Sequence, residues 1–218
     1  MTTEVLSAKK KVRILIADDH PLFRRGLKNA FSETPDIEIV AEADNGNDVV
    51  DRIRGEELSL VILDISMPGK DGLEVVKQIK TEYPKLPILI LSVYPENQYA
   101  VRFIKAGAAG YLTKESALDT LLHAVRKVSQ GGKFASPEIT ERLAFDFLET
   151  NKPLHETLSD REYQVFLMIA RGKSLTEIAN ELSLSVKTIS THRSRILEKM
   201  KMKKNAELIH YAINYDLI

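Results

Sequence analysis

Three carboxylates stand where short apolar segments end in the N-terminal half of the sequence. Asp18 and Asp19 follow the run VRILIA, and Asp64 follows the run LSLVIL. If both runs are parallel strands of one sheet, their carboxyl ends share an edge, and the three acids lie together. Neighbouring carboxylates raise one another's pKa, and a hard divalent cation such as Mg²⁺ removes that cost. The alternative is that each Asp only caps a loop at the end of a strand.

Two other polar side chains also follow apolar runs. Ser92 ends the segment ILILS, and Lys114 ends the segment GYLTK. A hydroxyl, a lysine and a divalent cation around one carboxylate suit the task of holding a phosphoryl group on it. The cation and Lys114 would neutralise phosphate charge, and Ser92 would donate a hydrogen bond. Asp64 is then the candidate nucleophile, although Ser92 and Lys114 taken singly are also compatible with ordinary surface positions.

Apolar runs and amphipathic segments alternate through the first 130 residues. Runs typical of strands buried on both faces occupy 12–17, 37–41, 58–63, 87–91 and 109–112. Helical patterns occupy roughly 21–32, 46–56, 71–82, 96–106 and 117–129. Ser116 and Asp119 are spaced as a capping box for the last of these helices. The alternation predicts an α/β fold with a doubly wound, five-stranded parallel sheet.

The rest of the chain carries only helical patterns. Gly131-Gly132 predicts a helix stop, 137–150 a helix, and 151–156, which contains Pro153, a linker. Further helices are expected from three candidate caps, Ser159 with Glu162, Ser174 with Glu177, and Ser185, and from the pattern at 205–216. We therefore expect a domain at 1–130, a linker with a short helix at 131–156, and an all-α domain at 157–218.

The net charge of zero, from 31 basic and 31 acidic residues, conceals a basic stretch. Residues 187–204 hold seven Lys and Arg side chains, and Glu198 is their only acidic residue. Two short helices joined by a tight turn, the second of them basic, are typical of a helix-turn-helix. This pattern predicts double-stranded DNA as a partner. A helical bundle with a solvated basic face is the alternative.

The amino-acid composition excludes several kinds of chemistry and indicates where the protein works. The sequence has no cysteine, which excludes disulfides, thiol nucleophiles and iron–sulfur clusters, and fits a reducing cytosol. No apolar run approaches the roughly 18 residues of a membrane span. We therefore expect a cytoplasmic protein with no membrane partner.

The motifs together resemble a known family. The segments ADDHP at 17–21, LDISMPGKDG at 63–72, LS at 91–92 and KAGAAGYLTK at 105–114 resemble the receiver domain of bacterial response regulators, a flavodoxin-like fold. The segment 158–200 resembles the LuxR/NarL-type helix-turn-helix. The two likenesses, in this order, are those of the NarL/FixJ family of two-component response regulators. They cover nearly the whole chain except the linker.

This resemblance implies roles for individual residues. Asp64 would be phosphorylated by a sensor histidine kinase. Mg²⁺, or another divalent cation, would be held by Asp18, Asp19, Asp64 and the backbone carbonyl of Ser66. Ser92 and Lys114 would contact the phosphoryl group, and Tyr111 would move with Ser92 on activation, although it also fits an ordinary edge-strand aromatic. Lys70 departs from the family, which usually has an apolar residue at this position.

The basic helix and the last helix carry the remaining expectations. On a helical wheel, the core side of the basic helix holds Val186, Ile189, Ile196, Leu197 and Met200. The candidate DNA contacts are Lys187, Thr188, Ser190, Thr191, Arg193, Ser194 and Arg195, with Arg193 on a phosphate or packed along its stem. We expect a homodimer when the protein is phosphorylated or bound to DNA. Its surface would hold Leu208, Ile209, Ala212 and Ile213, unless these residues only close the domain core.

Two rival functions differ in class from this one. A phosphohydrolase of the haloacid dehalogenase type also uses an aspartate nucleophile, but it needs an acid two residues later, where this chain has Ser66. We therefore expect no enzyme. A metabolite-sensing helix-turn-helix regulator is the other rival, and no glycine-rich phosphate loop follows a strand to support it.

Overall fold

A computed structural model describes residues 11–146 and 153–218 of the chain. The chain divides into two compact units between Thr140 and Glu141. The first unit contains all the strands that the described residues form, and the second contains helices. None of the helices in these two ranges is long and apolar enough to cross a membrane.

The first unit is built on a five-stranded parallel sheet, as the sequence predicts. Its strands are β1 (Val12–Ala17), β2 (Ile37–Ala43), β3 (Leu60–Leu63), β4 (Ile88–Ser92) and β5 (Gly110–Thr113). Their order across the sheet is β2-β1-β3-β4-β5, so the strand order reverses between β1 and β3. β3 and β4 are buried along their full length, which explains their nearly uninterrupted Val, Ile and Leu residues. Ligand sites in such sheets lie beyond the carboxyl ends of the strands at the reversal.

Five helices connect or follow these strands. They are α1 (Pro21–Ser32), α2 (Val49–Arg54), α3 (Gly72–Glu82), α4 (Glu96–Lys105) and α5 (Leu118–Ser129). One face of the sheet packs against α1 and α5 through a cluster that includes Ile14, Ile16, Phe31, Leu89 and Val125. α2 is shorter than the predicted 46–56, because Asn45 Oδ1 accepts hydrogen bonds from the backbone of the residues that precede this helix.

The predicted capping box at the start of α5 is wrong. Ala117 is the N-cap residue of α5, and no side chain caps this end of the helix. Ser116 stands one position too early, and its Oγ lies 3.2 Å from Thr113 Oγ1 instead. The Ser116 hydroxyl therefore stabilises the turn between β5 and α5.

The edge of β5 is partly covered by the segment that follows α5. The backbone N–H of Phe134 donates to the carbonyl of Ala109 at 2.9 Å, and Phe134 forms a parallel bridge with Gly110. A Cβ atom on Gly110 would lie 2.7 Å from the carbonyl oxygen of Phe134, so this close approach requires glycine. Gly131, with a φ of +85°, lets the chain turn back after α5.

The second unit consists of short helices. α6 (Pro137–Asp146) spans the division between the units, and a 3-10 helix (Leu154–Thr157) lies where the sequence predicted a linker at 151–156. The end of the predicted helix at 137–150 and the start of that linker fall outside the described residues. The remaining helices are α7 (Asp160–Ala170), α8 (Leu175–Glu181), α9 (Val186–Lys199) and α10 (Asn205–Asn214).

The helix starts of this unit follow the predicted caps. Complete capping boxes join Ser159 with Glu162 at α7 and Ser174 with Glu177 at α8. Ser185 accepts a hydrogen bond from Thr188 N at the start of α9. Since each box satisfies backbone donors that would otherwise lack partners, these serines fix where α7, α8 and α9 begin. α7 then packs against α9 and α10.

Candidate functional site

The ends of β1 and β3 bring the acids together. Ala17 and Leu63 are partners in the β1–β3 register, and Asp64 N donates to the Ala17 carbonyl at 2.8 Å. Asp18 and Asp64 are therefore neighbours at one edge of the sheet, and both are buried. Asp19, one residue further along, is half-buried. The structure thus brings together the three acids that the sequence singles out.

Lys114 joins two of these acids. Its Nζ lies 2.6 Å from Asp18 Oδ2 and 2.7 Å from Asp64 Oδ2. The backbone N–H of Lys114 donates to the Ser92 carbonyl at 2.7 Å, so β4 fixes where the lysine leaves β5. The aromatic ring of Phe23 on α1 lies 4.6 Å from the same ammonium group. Phe23 is a contact that sequence reasoning missed, because a helix aromatic beside the site carries no distinguishing motif.

Burial is the largest influence on the pKa values of Asp64 and Lys114 at this edge of the sheet. Burial raises the pKa of Asp64, the bond from Lys114 opposes this shift, and the charge of Asp18 adds to it. Burial alone would lower the pKa of Lys114, but the hydrogen bonds and charges of Asp18 and Asp64 outweigh it and raise that pKa. One lysine thus neutralises two buried carboxylates only in part. A second cation at this edge would be stabilising.

The same edge offers a ligand set for a metal ion. One ligand atom each from Asp18, Asp19, His20 and Asp64 lie within 4.8 Å of one another. Among the described side chains, Asp19 Oδ1 is a buried atom without a hydrogen-bond partner, and His20 Nδ1 lies 2.9 Å from it. Hard cations favour carboxylate oxygens, so the donors fit Mg²⁺. His20 was missed in the sequence, although it directly follows the acid pair.

The loop after β3 lies against the central carboxylate. Ser66 N donates to Asp64 Oδ1 at 3.0 Å, which holds the start of this loop at the site. Lys70, the departure from the family pattern, donates to Gln78 Oε1 on α3. Asp71 then caps α3 through the Leu73 backbone N–H. The Lys70 side chain is therefore bonded to α3 and has no contact with the acids among the residues the structure describes.

Ser92 and Tyr111 occupy neighbouring strands. The Ser92 side chain is fully buried, and its Oγ accepts a hydrogen bond from Tyr94 N at 3.1 Å. Tyr111 is 1% exposed, and its hydroxyl donates to the Tyr94 carbonyl at 2.9 Å. Burial raises the pKa of Tyr111 well above its ordinary value. Tyr111 thus points inward, and both side chains contact the β4–α4 loop through Tyr94.

α9 presents most of the predicted DNA contacts to solvent. Lys187, Ser190, Thr191, Ser194 and Arg195 are exposed, whereas Thr188 and Arg193 are half-buried. The predicted core side is confirmed for Ile189, Ile196 and Met200, which are buried. Val186 is 45% exposed, which corrects its assignment to the core. It is the first residue of α9, directly after the N-cap Ser185.

Arg193 has a partner that the wheel could not indicate. Its Nε donates to Asn205 Oδ1 at 2.7 Å. Asn205 is the first residue of α10, so this bond links the middle of α9 to the start of the last helix. This bond engages the guanidinium group, so the two predicted roles of Arg193, a phosphate contact or packing along its stem, both stay predictions.

The predicted dimer surface on α10 needs a correction. Leu208 and Ala212 have no exposed surface, because they face the core of the second unit, where α10 packs against α7. These two residues therefore close the domain, which was the alternative interpretation. Ile209 is half-buried, and Ile213 is 61% exposed. Only Ile213 of the four residues lies fully on the surface.

Comparisons with known proteins agree with this architecture. The family model described as "Response regulator receiver domain" matches residues 14–126. The model described as "Bacterial regulatory proteins, luxR family" matches residues 156–212. The Escherichia coli K12 response regulator UvrY is 35% identical over 208 residues, which are 94% of this chain and 95% of UvrY. Pseudomonas aeruginosa GacA is 33% identical over 210 residues, 95% of this chain and 98% of GacA.

Solved structures of response regulators are also similar to this chain. The Salmonella typhimurium RcsB response regulator aligns with a TM-score of 0.64 and 25% identity, and the alignment covers 94% of this chain and 98% of RcsB. A structure of the RcsB–DNA complex aligns with a TM-score of 0.58 and 26% identity over the same shares.

The sheet order, the acid cluster with its lysine, and the helical second unit define a two-domain signalling protein. The chain belongs to the NarL/FixJ-type response regulators of two-component systems, with a receiver domain and a LuxR-type helix-turn-helix DNA-binding domain. It is a regulator of transcription.

Proposed function

We propose that Asp64 is the phosphoacceptor, and that its phosphorylation by a sensor histidine kinase controls DNA binding by this protein. The observation that carries the proposal is the shared contact of Lys114 with Asp18 and Asp64. This lysine stands where it can neutralise charge on a phosphoryl group attached to Asp64. Ser92 and Tyr111, which both bond the Tyr94 backbone, are the proposed switch residues.

Mg²⁺, or another divalent cation, is the proposed cofactor. Asp18, Asp19 and Asp64 would bind it together with the backbone carbonyl of Ser66. The fit rests on the close grouping of the acid ligand atoms and on the buried Asp19 oxygen without a hydrogen-bond partner. When bound, the cation supplies positive charge that stabilises the phosphoryl group and its transfer. Asp64 would then take the phosphoryl group, and Lys114 would stay beside it.

We do not propose an enzyme. Sustained hydrolysis of phosphate esters needs a proton donor near Asp64, and the residue two positions later is Ser66. The Ser66 backbone N–H donates a hydrogen bond to Asp64. The Ser66 hydroxyl cannot replace a carboxylic acid as the proton donor near neutral pH.

The helix-turn-helix is proposed to bind double-stranded DNA as a homodimer. α9 would enter the major groove with its exposed residues, and a domain of this size buries too little DNA surface to bind alone with high specificity. A solved structure of the relative RcsB, which contains two RcsB dimers bound to two parallel DNAs, supports DNA binding as a dimer. Since DNA is the target, we place the protein in the cytoplasm. We propose functional domains at 1–130 and 157–218, with 131–156 as the connection.

Labelling with acetyl phosphate tests the phosphoacceptor. With Mg²⁺ present, the intact mass should rise by one phosphoryl group, and Asp64→Asn should abolish this rise. Asp51→Asn, which changes an exposed aspartate on α2, is the matched control and should label normally. Equal labelling of Asp64→Asn would place the acceptor elsewhere.

Affinity for DNA tests the switch. Phosphorylated wild-type protein should bind specific sites more tightly than unphosphorylated protein. Asp64→Asn, treated identically, should show no such difference. If affinity is the same with and without phosphate at every salt concentration, the phosphorylation switch is wrong, while DNA binding itself would stand.

A further inference from the structure

His20 is a histidine beside the acid cluster that the proposed metal site does not use. Its backbone N–H donates to Asp18 Oδ1 at 2.8 Å, and it is the N-cap residue of α1, which begins with Pro21. Because a proline restricts the backbone of the residue before it, the conformation of His20 is constrained from both sides. The imidazole therefore projects from a constrained backbone at this edge of the sheet, while 59% of the side chain remains exposed.

One ring nitrogen of His20 faces the three acids. His20 Nδ1 lies 2.9 Å from Asp19 Oδ1 and 3.2 Å from Asp18 Oδ1. The same nitrogen lies 4.0 Å from Asp64 Oδ2. Around an octahedral ion with ligands at about 2.1 Å, adjacent ligand atoms are about 3.0 Å apart and opposite ones about 4.2 Å apart. The two shorter separations therefore fit adjacent ligands, and the longest fits opposite ligands.

The tautomer of His20 determines whether this nitrogen can bind a metal ion. With its proton on Nδ1, His20 donates a hydrogen bond to Asp18 Oδ1. With the proton on Nε2, Nδ1 presents a lone pair, and water can accept the Nε2 proton because the side chain is exposed. Asp19 Oδ1 has no hydrogen-bond partner among the described residues, although Nδ1 is 2.9 Å away. Two lone pairs directed at one shared cation account for this approach without a hydrogen bond.

We infer that His20 Nδ1 is an additional ligand of the metal site, and that it gives the site a preference for divalent transition-metal ions such as Mn²⁺ or Fe²⁺ over Mg²⁺. The inference rests on the metal site proposed above and adds the chemical class of its ion. Mg²⁺ is a hard ion that favours oxygen ligands and retains several waters, so a nitrogen ligand adds little to its affinity. Transition-metal ions bind imidazole more strongly, so the same ligand raises their affinity more.

Spectroscopy of bound Mn²⁺ tests whether the nitrogen is a ligand. Electron spin echo envelope modulation of the Mn²⁺-loaded, full-length protein should show coupling to a directly bound imidazole nitrogen. His20→Ala should abolish this coupling. His210→Ala removes an exposed histidine of α10, serves as the matched control and should keep the coupling. Bound Mn²⁺ without nitrogen coupling in the wild-type protein would overturn the inference.

Metal affinity tests the preference between ions. Competition titrations with Mn²⁺ and Mg²⁺ give the ratio of the two dissociation constants. His20→Ala should weaken Mn²⁺ binding about tenfold or more, and Mg²⁺ binding by less than about threefold, because water can replace the lost ligand on Mg²⁺.

His20→Asn is the second variant, because it replaces the nitrogen ligand with an amide oxygen. Asn is also a favourable N-cap residue, so α1 should remain folded, which thermal unfolding without metal checks. This variant should bind Mg²⁺ at least as tightly as the wild-type protein, but the preference for Mn²⁺ should stay lost. A full return of the Mn²⁺ preference in His20→Asn would contradict the role of the nitrogen.

The outcomes separate this inference from the metal site on which it rests. If His20→Ala weakens Mn²⁺ and Mg²⁺ binding by the same factor, or weakens neither, the inference fails and the metal site stands. If the wild-type protein binds neither ion, the proposed metal site fails, and the inference fails with it.

Discussion

The ammonium nitrogen of Lys114 lies 2.7 Å from Oδ2 of Asp64, although the two residues are 50 positions apart in the chain. Because Asp18 shares this lysine, the site holds two buried carboxylates and one cation. Such a site carries excess negative charge in a place where solvent screens it poorly. The fold therefore accommodates an electrostatic strain that a bound divalent cation would relieve.

Asp64→Asn should stabilise the fold in metal-free buffer at neutral pH. The change removes an ionised group whose burial is unfavourable, while Lys114 keeps its bond to Asp18. The gain should depend on pH, because burial raises the pKa of Asp64 in the folded state. It should be complete above that raised pKa and vanish as the pH falls below the ordinary carboxyl value, where Asp64 is protonated in both states.

Urea unfolding in the presence of a chelator measures this effect. Asp51→Asn, on the exposed surface of α2, serves as the control and should leave the free energy of unfolding nearly unchanged. A less stable Asp64→Asn at neutral pH would mean that the Lys114 bond outweighs the cost of burial.

Glu162→Gln should destabilise the second unit. The Glu162 carboxylate accepts from Ser159 N at 2.8 Å and from Lys199 Nζ at 2.6 Å, so it joins the start of α7 to the end of α9. Burial alone would raise the pKa of Glu162, but the bonds from Lys199 and Ser159 outweigh it and lower that pKa. We expect a loss of about 1 kcal/mol near neutral pH, since Lys199 is partly screened by solvent.

The loss from Glu162→Gln has a defined pH dependence. A lowered folded pKa means that the stabilisation is present above the ordinary Glu value and disappears as the pH falls through the folded pKa. Glu177→Gln changes the same capping motif at an exposed position and should cost less. Thermal unfolding of both variants from pH 2 to 8 measures these losses of stability. Equal losses in the two variants would mean that the bond between Lys199 and Glu162 does not stabilise the fold.

Lys187→Ala should weaken binding to all DNA sequences by a similar factor. Lys187 lies exposed at the start of α9, where a cation meets phosphate. The slope of log K against log salt should flatten by about one unit, because one fewer counterion is released. Lys85→Ala, on the surface of the receiver domain, should leave the slope unaltered. A changed sequence preference with an unchanged slope would instead place Lys187 on a base.

Ile213→Asp should weaken the dimer at least about tenfold, because it places a charge on the exposed apolar position of α10. The domain should remain folded, since Ile213 lies outside the core. Asn214→Asp adds the same charge one residue later at a polar, exposed position and serves as the control. Sedimentation equilibrium of the phosphorylated proteins measures the effect. An unaltered dimer for Ile213→Asp would exclude this part of α10 from the interface.

Much of the fold and part of the site follow from local sequence. Parallel strands share a direction, so residues that directly follow neighbouring strands lie at the same edge of the sheet. The proximity of Asp18 and Asp64 is therefore predictable once β1 and β3 are recognised. Capping boxes predict the starts of α7 and α8 because Ser and Glu make both bonds within four residues. These features need no knowledge of distant packing.

The remaining features depend on geometry that spacing does not encode. The contact of Phe23 with Lys114 and the bond from Arg193 to Asn205 require the relative placement of elements. A helical wheel assigns Val186 to the core because it uses only the spacing of residues along one helix, and it does not include the positions of the neighbouring helices. The same limit applies to Leu208 and Ala212, whose apolar face suits a domain core and an interface equally well.

The segment around Phe134 covers part of the edge of β5, and this cover also protects the domain from aggregation. An open strand edge is a template on which a strand from another molecule can pair, and β5 is one of the two edge strands of this sheet. Phe134 occupies the backbone donor and acceptor positions around Ala109 and Gly110, and so it blocks intermolecular pairing there. A receiver fragment cut at residue 130 would lose this cover and become prone to aggregation, whereas a fragment extended past residue 136 would keep it.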